Sequence, residues 1–207
     1  NVEKHFLPDL GQGFIAKPLQ RPHPPIVVTA VAPFSQGVAE AAARGWDPIS
    51  ANFLMPPWVK SHWPKYVEGC ERAGRKADPA NWRVAKSVFV ADDAQTAKAY
   101  ATAADSPYRY YYSQLLTKMR HNGRLELFKT SREQQDSEVT LDAVCDQLVI
   151  YGTPDKVAED LFAFREKVGD FGTLLYAGKD WADPALARRS MVLLAEKVLP
   201  KLNAGPG

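Results

Sequence analysis

Ser35 and Gln36 stand where the chain changes character. Ile26-Val27-Val28 opens a β-branched apolar run, Pro33, Ser35 and Gly37 interrupt it, and an alanine-rich stretch then runs to Gly45. A strand that passes into a helix within a few residues leaves the helix's first N–H groups unpaired beyond the strand's C-terminal end. Such an end attracts anions, because the aligned peptide dipoles reinforce the free donors. Ser35 can add a hydroxyl there, and Gln36-Gly37 keeps the backbone open to a close-approaching ligand. The plainer reading is that Ser35 only caps the helix.

Other chemistry-bearing residues are scattered. His5, His23, His62 and His121 show no metal-ligand spacing, and Cys70 and Cys145 lie far apart. His23 sits in a proline-rich approach, His62 on an outer helix beside Trp63, and His121 before a glycine turn. None of the four is expected to act as a catalytic base, and no metal site is expected. The chain has no Gly-x-Ser-x-Gly elbow, Walker loop or Gly-x-Gly-x-x-Gly. The segment 106–142 is aromatic at its front, charged in the middle and rich in Gln, Ser and Glu near 131–138. Tyr108, Tyr111 and Tyr112 there could line an apolar pocket, or equally pack as the buried face of a helix. Phe53, Tyr108 and Tyr112 are the candidates for substrate contact.

The elements that must position these residues alternate between two periods. Strands are expected at 26–32, 46–52, 82–91 and 171–178, and helices at 35–44, 57–76, 92–104, 154–168 and 184–202. Asp92 can cap the third helix with Gln95 in capping-box position, and Thr153-Pro154 is a strong helix start. Four strand–helix units imply parallel strands with right-handed crossovers. A closed eight-stranded barrel needs about 250 residues, so four units suit a small open sheet or part of something larger. Residues 1–25 read as an arm leading into the first strand.

Composition bounds the class. The chain has 207 residues, 45% hydrophobic and 24% charged, with a net charge of +2. That is enough chain for one sizeable core, with too little positive charge for a nucleic-acid footprint. No apolar run approaches the roughly 18 residues of a membrane span. Two cysteines, the absence of a signal pattern and the missing span point to a cytoplasmic protein.

The stretch KPLQRPHPPIVVTAVAPFSQGVAEAAARGWDPIS resembles the middle of the luciferase-like flavin-dependent monooxygenases, in the branch of the limonene and diketocamphane enzymes. SVFVADDAQTAKAYA resembles that family's passage after barrel strand seven. The segment 149–202 resembles its C-terminal strand and helix, through Gly152-Thr153-Pro154-Asp155-x-Val157, Gly169-x-Phe171-Gly172 and Ala195-Glu196-x-Val198-x-Pro200. The resemblance implies an α/β fold of (β/α)8 TIM-barrel type, with residues 26–207 covering strands five to eight and 106–142 forming a lid inserted after strand seven. It implies a native product longer at its N-terminus. It also implies reduced FMN as cofactor, delivered by a separate flavin reductase, and O2 and a small apolar molecule as substrates, in a homodimer. By this resemblance Ala30, Val31, Ala32, Ser35 and Gln36 would meet the flavin, Ser35 at its phosphate. Catalytic residues are not identified. A relative using the deazaflavin F420, and a non-catalytic barrel subunit, are the alternatives.

Overall fold

The run from Arg83 to Val90 carries apolar or small residues on both of its faces, the mark of a strand covered from both sides. It forms β3 (Arg83–Val90), buried from Val84 onward. The computed structural model describes residues 6–11, 13 and 18–205. Around β3 are β1 (Val27–Ala30), β2 (Asp47–Ser50), β4 (Val149–Gly152) and β5 (Thr173–Tyr176), and every pairing is parallel. β1 pairs with β2, and β2 pairs with the start of β3, Ser50 opposite Val84. Val84 also pairs with Leu174, so β2 and β5 occupy opposite edges of β3. β4 pairs with the second half of β3, Ser87–Val90.

The helices are α1 (Gln36–Ala43), α2 (Pro56–Lys60), α3 (His62–Arg72), α4 (Ala94–Thr102), α5 (Pro107–His121), α6 (Leu141–Leu148), α7 (Pro154–Val168), α8 (Pro184–Leu193) and α9 (Leu199–Ala204). No helix among the described residues is long and apolar enough to cross a membrane. Several expectations are corrected. Among the described residues the sheet has five strands rather than four; β4, which the sequence hid, is only four residues long and abuts a helix at each end. The helix expected over 57–76 divides at Ser61, whose hydroxyl donates to the Trp58 carbonyl at 2.6 Å. Asp93, not Asp92, caps α4, accepting from the Thr96 amide at 2.8 Å; Asp92 instead pairs with Arg189 at 2.6 Å. Thr153 makes no side-chain cap, although Pro154 does open α7. The closing helix is interrupted by a wide π turn at Leu194–Val198, where Pro200 has no N–H to continue the ladder.

The segment 106–142 is largely helical. Ser106 caps α5, accepting from the Tyr108 amide at 3.2 Å, and Pro107 supplies the preset first-turn dihedral. Tyr108, Tyr112 and Leu116, spaced by four, form its buried face. Residues 131–138 are almost all exposed.

Burial along β1 alternates. Ala30 is buried against α1 and α3 with Val38, Ala42, Tyr66 and Cys70, whereas Val27 and Val31 are 40% and 41% exposed. β5 behaves alike, with Leu175 50% exposed. The helices therefore cover one face of β1 and β5 and leave the other bare.

Small residues let α1 lie close to α3. A Cβ at Gly69 would come within 2.2 Å of the Ala39 carbonyl oxygen and 2.6 Å of the Ala42 Cβ. Both neighbours belong to a helix that cannot yield locally. Gly69→Ala is expected to lower stability by about 1–3 kcal/mol, read as a lower urea midpoint with an unchanged slope.

Lys86 is buried in β3, with its Nζ donating to the Gln147 carbonyl at 2.9 Å and lying 4.8 Å from the Phe164 ring centre. Burial, helped by the nearby Lys167 charge, pushes its amine down to about 7. Unfolded, the same amine titrates near 10.4, so between these values the unfolded chain holds the extra proton. Stability should therefore rise with pH from about 7 towards 10. Lys86→Met should flatten that rise in chemical denaturation followed across pH.

Candidate functional site

The loop leaving β1 carries the residues singled out in the sequence. Its backbone is unusual: Phe34 sits at φ +51°, a region that non-glycine residues rarely adopt. The Phe34 amide donates to Ser61 Oγ at 2.8 Å. One residue on, His62 contacts the Ala32 carbonyl through Nε2 at 2.9 Å and Ser50 Oγ through Nδ1 at 2.8 Å. A carbonyl only accepts, so Nε2 carries the proton and Nδ1 accepts from the serine hydroxyl. Ser50 Oγ in turn accepts from the Trp82 indole at 3.0 Å. Burial lowers the imidazole's proton affinity and so favours this neutral form, against the opposing pull of the Ala32 carbonyl.

Ser35 does not behave as a cap. Its side chain makes no capping hydrogen bond, and the Val38 amide bonds instead to the Ser35 carbonyl at 3.1 Å. The hydroxyl lies by the first turn of α1, 3.4 Å from where a Cβ at Gly37 would stand, without pairing with the orphan amides there. Gln36 points elsewhere: its amide accepts from Lys65 Nζ at 3.2 Å and reaches Glu68 at 3.5 Å, both on α3. Ala30 is buried towards α1, Val31 lies open, and Ala32 is half-buried. The Arg132 guanidinium, from the exposed 131–138 segment, lies 5.4 Å from the Phe34 ring centre.

A second cluster joins β2, β3 and α5. Asn52 Nδ2 donates to Ser87 Oγ at 3.1 Å, and the Asn52 backbone carbonyl accepts from the Tyr112 hydroxyl at 3.2 Å. Ser87 Oγ meets that same hydroxyl at 2.9 Å, and since the tyrosine proton is spent on Asn52, the serine donates. Tyr111 donates to Asn52 Oδ1 at 3.2 Å. Lys179 Nζ stands 4.1 Å from the Tyr111 ring centre, its amine lowered by burial. Burial raises Tyr108, Tyr111 and Tyr112 above the ordinary phenol range, so all three stay neutral donors.

Tyr108 and Tyr112 are fully enclosed, and the Tyr108 hydroxyl donates to the Val88 carbonyl at 2.7 Å. Phe53 is half-buried and packs against the same core. An open cleft of about 930 Å³ lies on the other side of α5, lined by Asp105, Arg109, Tyr110, Ser113, Leu141 and Trp181. Arg109 pairs with Asp142 there, and Tyr110 meets Trp181 edge to face. Asn52, Ser61, His62, Ser87 and Lys179 went unremarked as site residues in the sequence. For His62 a signal exists, since it shares a helical stripe with Tyr66, Gly69 and Cys70.

Comparison with known proteins gives a concordant picture. The family model described as luciferase-like monooxygenase matches residues 3–170. The 4-hydroxyprotoasukamycin monooxygenase of Streptomyces nodosus subsp. asukaensis is 33% identical, over 87% of this chain and 47% of its own length. The 3,6-diketocamphane 1,6-monooxygenase of Pseudomonas putida is 29% identical, over 86% of this chain and 47% of its own length. The oxygenating constituent of 3,6-diketocamphane monooxygenase, a type II Baeyer–Villiger monooxygenase solved with FMN, superposes with a TM-score of 0.74 at 28% identity, covering 86% of this chain and 49% of that one. An F420-dependent secondary alcohol dehydrogenase shares the fold at a TM-score of 0.53 and 18% identity, over 84% of this chain and 48% of that one. The chain thus spans about half the length of the relatives it matches.

The Asn52 cluster can be tested without a ligand. Asn52→Ala removes a donor to Ser87 Oγ, which keeps Tyr112, and the acceptor of the Tyr111 hydroxyl, and is expected to cost about 1–3 kcal/mol in urea unfolding. Tyr111→Phe, which removes one half-buried hydroxyl, should cost less.

Proposed function

Because the chain belongs to the luciferase-like monooxygenase family, we propose that it serves a flavin-dependent monooxygenase acting with reduced FMN and O2 on a small apolar organic substrate. The observation that carries this is Ser35: a hydroxyl free of capping duty, beside the unpaired amides of α1, in a chain that superposes on an FMN-bound relative. Ser35 would donate to the flavin phosphate, joined by the Gln36 backbone amide. Val31 and Ala32 would lie beside the ring, with Ala30 keeping the strand end narrow. Phe53, Tyr108 and Tyr112 would form the apolar wall behind the substrate rather than an open lining.

When bound, reduced FMN supplies the electrons that activate O2. The protein's own part is to bind, orient and exclude water. The neutral tyrosines and the Asn52–Ser87 pair would keep the far wall dry and satisfied. The insertion 106–142 would act as the lid, and the Arg132–Phe34 contact supports that reading by bringing its exposed stretch 131–138 to the cofactor loop.

In this reading β1, β2, β3 and β5 are strands five to eight of a barrel. The bare faces of β1 and β5 would be covered by the other half, from which the arm of residues 1–25 would lead into β1. A separate reductase would deliver the reduced flavin to a cytoplasmic homodimer. Saturable binding of FMN but not of F420 in a fluorescence titration supports the FMN reading, and the reverse replaces it.

Ser35→Ala should weaken FMN binding about ten- to a hundredfold, the worth of a hydrogen bond to a charged group, as measured by fluorescence titration. Its melting midpoint should hardly move, since no cap is lost. Ser35→Asp should abolish FMN binding through repulsion of the phosphate. Parent-like affinity in Ser35→Asp would place the phosphate elsewhere.

A further inference from the structure

The β1–α1 loop is held by two consecutive residues that lie far away in sequence. Ser61 Oγ takes the Phe34 amide, 27 positions back, and His62 Nε2 takes the Ala32 carbonyl, 30 positions back. The two contacts fall on either side of Pro33, a residue with no amide of its own to anchor the turn. Between them they fix one acceptor and one donor of the loop. They leave the Ser35 hydroxyl and the first amides of α1 uncommitted.

Phe34 shows why such a hold is needed. A left-handed phenylalanine is unfavourable by itself and persists only where its surroundings over-determine it. Its ring is half exposed, so packing alone does not impose the conformation. The imposing groups are Ser61 and His62, which are themselves immobilised. Ser61 Oγ donates to the Trp58 carbonyl at 2.6 Å, which aims its lone pair at Phe34. His62 is fully buried, and its second nitrogen is fixed by Ser50, itself fixed by Trp82. The order Trp82 N–H to Ser50, Ser50 O–H to His62, His62 N–H to Ala32 permits only one tautomer.

We propose that Ser61 and His62 are positioning residues that set the β1–α1 loop in the shape that receives the flavin phosphate. The proposal rests on the cofactor reading above. Neither residue touches the cofactor in it; each acts through the backbone of residues 32–34.

The test compares His62→Leu, His62→Gln and Ser61→Ala with the parent chain. Glutamine keeps an amide N–H where Nε2 stands, whereas leucine removes it. The first readout is amide hydrogen exchange, which needs no ligand. The Phe34 amide should exchange about tenfold faster or more in Ser61→Ala and His62→Leu, and close to the parent rate in His62→Gln, with β3 and α4 amides unchanged as controls for general loosening. The second readout is FMN titration, where the dissociation constant should rise about tenfold in the first two variants and recover in His62→Gln. If His62→Leu does not fold, Ser61→Ala and His62→Gln make the same comparison. An unchanged Phe34 exchange rate overturns the clamp. Faster exchange with unchanged FMN affinity overturns its positioning role. If the parent itself fails to bind FMN, the cofactor reading falls, and the exchange data still decide the clamp.

Discussion

A strand covered on both faces has to satisfy every polar group it carries from within the protein, and β3 is under that constraint from Val84 onward, with a partner strand on both edges at Arg83–Val84 and on one edge from Ala85 to Val90. Its neighbours are arranged to meet it. Where pairing with β5 ends at Lys86, the Ala177 amide still reaches the Lys86 carbonyl at 2.9 Å. Further on, the Val90 amide finds Ser190 Oγ of α8 at 2.8 Å, and the Val88 carbonyl takes the Tyr108 hydroxyl. The polar side chains of β3 follow the same rule. Lys86 reaches the Gln147 carbonyl on one face, and Ser87 enters the Asn52–Tyr112 network on the other. α5 therefore completes β3, because two of its tyrosines close off groups that the strand would otherwise leave unpaired.

What the sequence revealed and what it hid divide along physical lines. β1, β3, β5 and the helices that follow them were legible because each has a long enough periodic pattern with punctuation at its ends. β4 was not, since four residues between Leu148 and Thr153 show no period of their own and exist as a strand only because β3 offers an edge. The division of α2 from α3 falls where Pro64 has no N–H for the Lys60 carbonyl and the Ser61 hydroxyl takes the Trp58 carbonyl, a break that the apolar pattern over 57–76 masks. The capping aspartate was displaced by one residue because two adjacent aspartates both qualify locally, and the tertiary pairing of Asp92 with Arg189 decides between them.

The site was legible as a place rather than as a mechanism of assembly. The turn from β1 to α1 could be read from residues 26–45 alone. The expected capping bond of Ser35 did not form, however, and Gln36 is drawn aside by Lys65 and Glu68. The second outcome comes from contacts with α3, some 30 residues downstream, and local propensity carries no information about it. The tyrosines of α5 are the converse case. The sequence left open a pocket lining and a packed helical face, and the spacing of Tyr108, Tyr112 and Leu116 makes that face the buried one.

α3 connects packing to the site. His62, Tyr66, Gly69 and Cys70 are its buried residues, at spacings of four, seven and eight, a single stripe along the helix. The lower part of that stripe is small: Gly69 admits the backbone of Ala39 and the methyl of Ala42, so α1 and α3 touch. Ionic and hydrogen-bonded contacts fasten the same pair, with Arg72 to Glu40 at 2.8 Å and Arg75 to the Ala42 carbonyl at 2.6 Å. The upper end of the stripe is His62, which reaches across to Ala32. An imidazole has a fixed length, so it can meet a carbonyl on one side and a serine on the other only if α3 stands at a set distance from β1 and β2. The close glycine–alanine contact two turns below sets that distance. The alanine-rich run after Ser35 thus does more than form a helix. By letting α3 approach, it brings the two residues that shape the loop on which Ser35 sits.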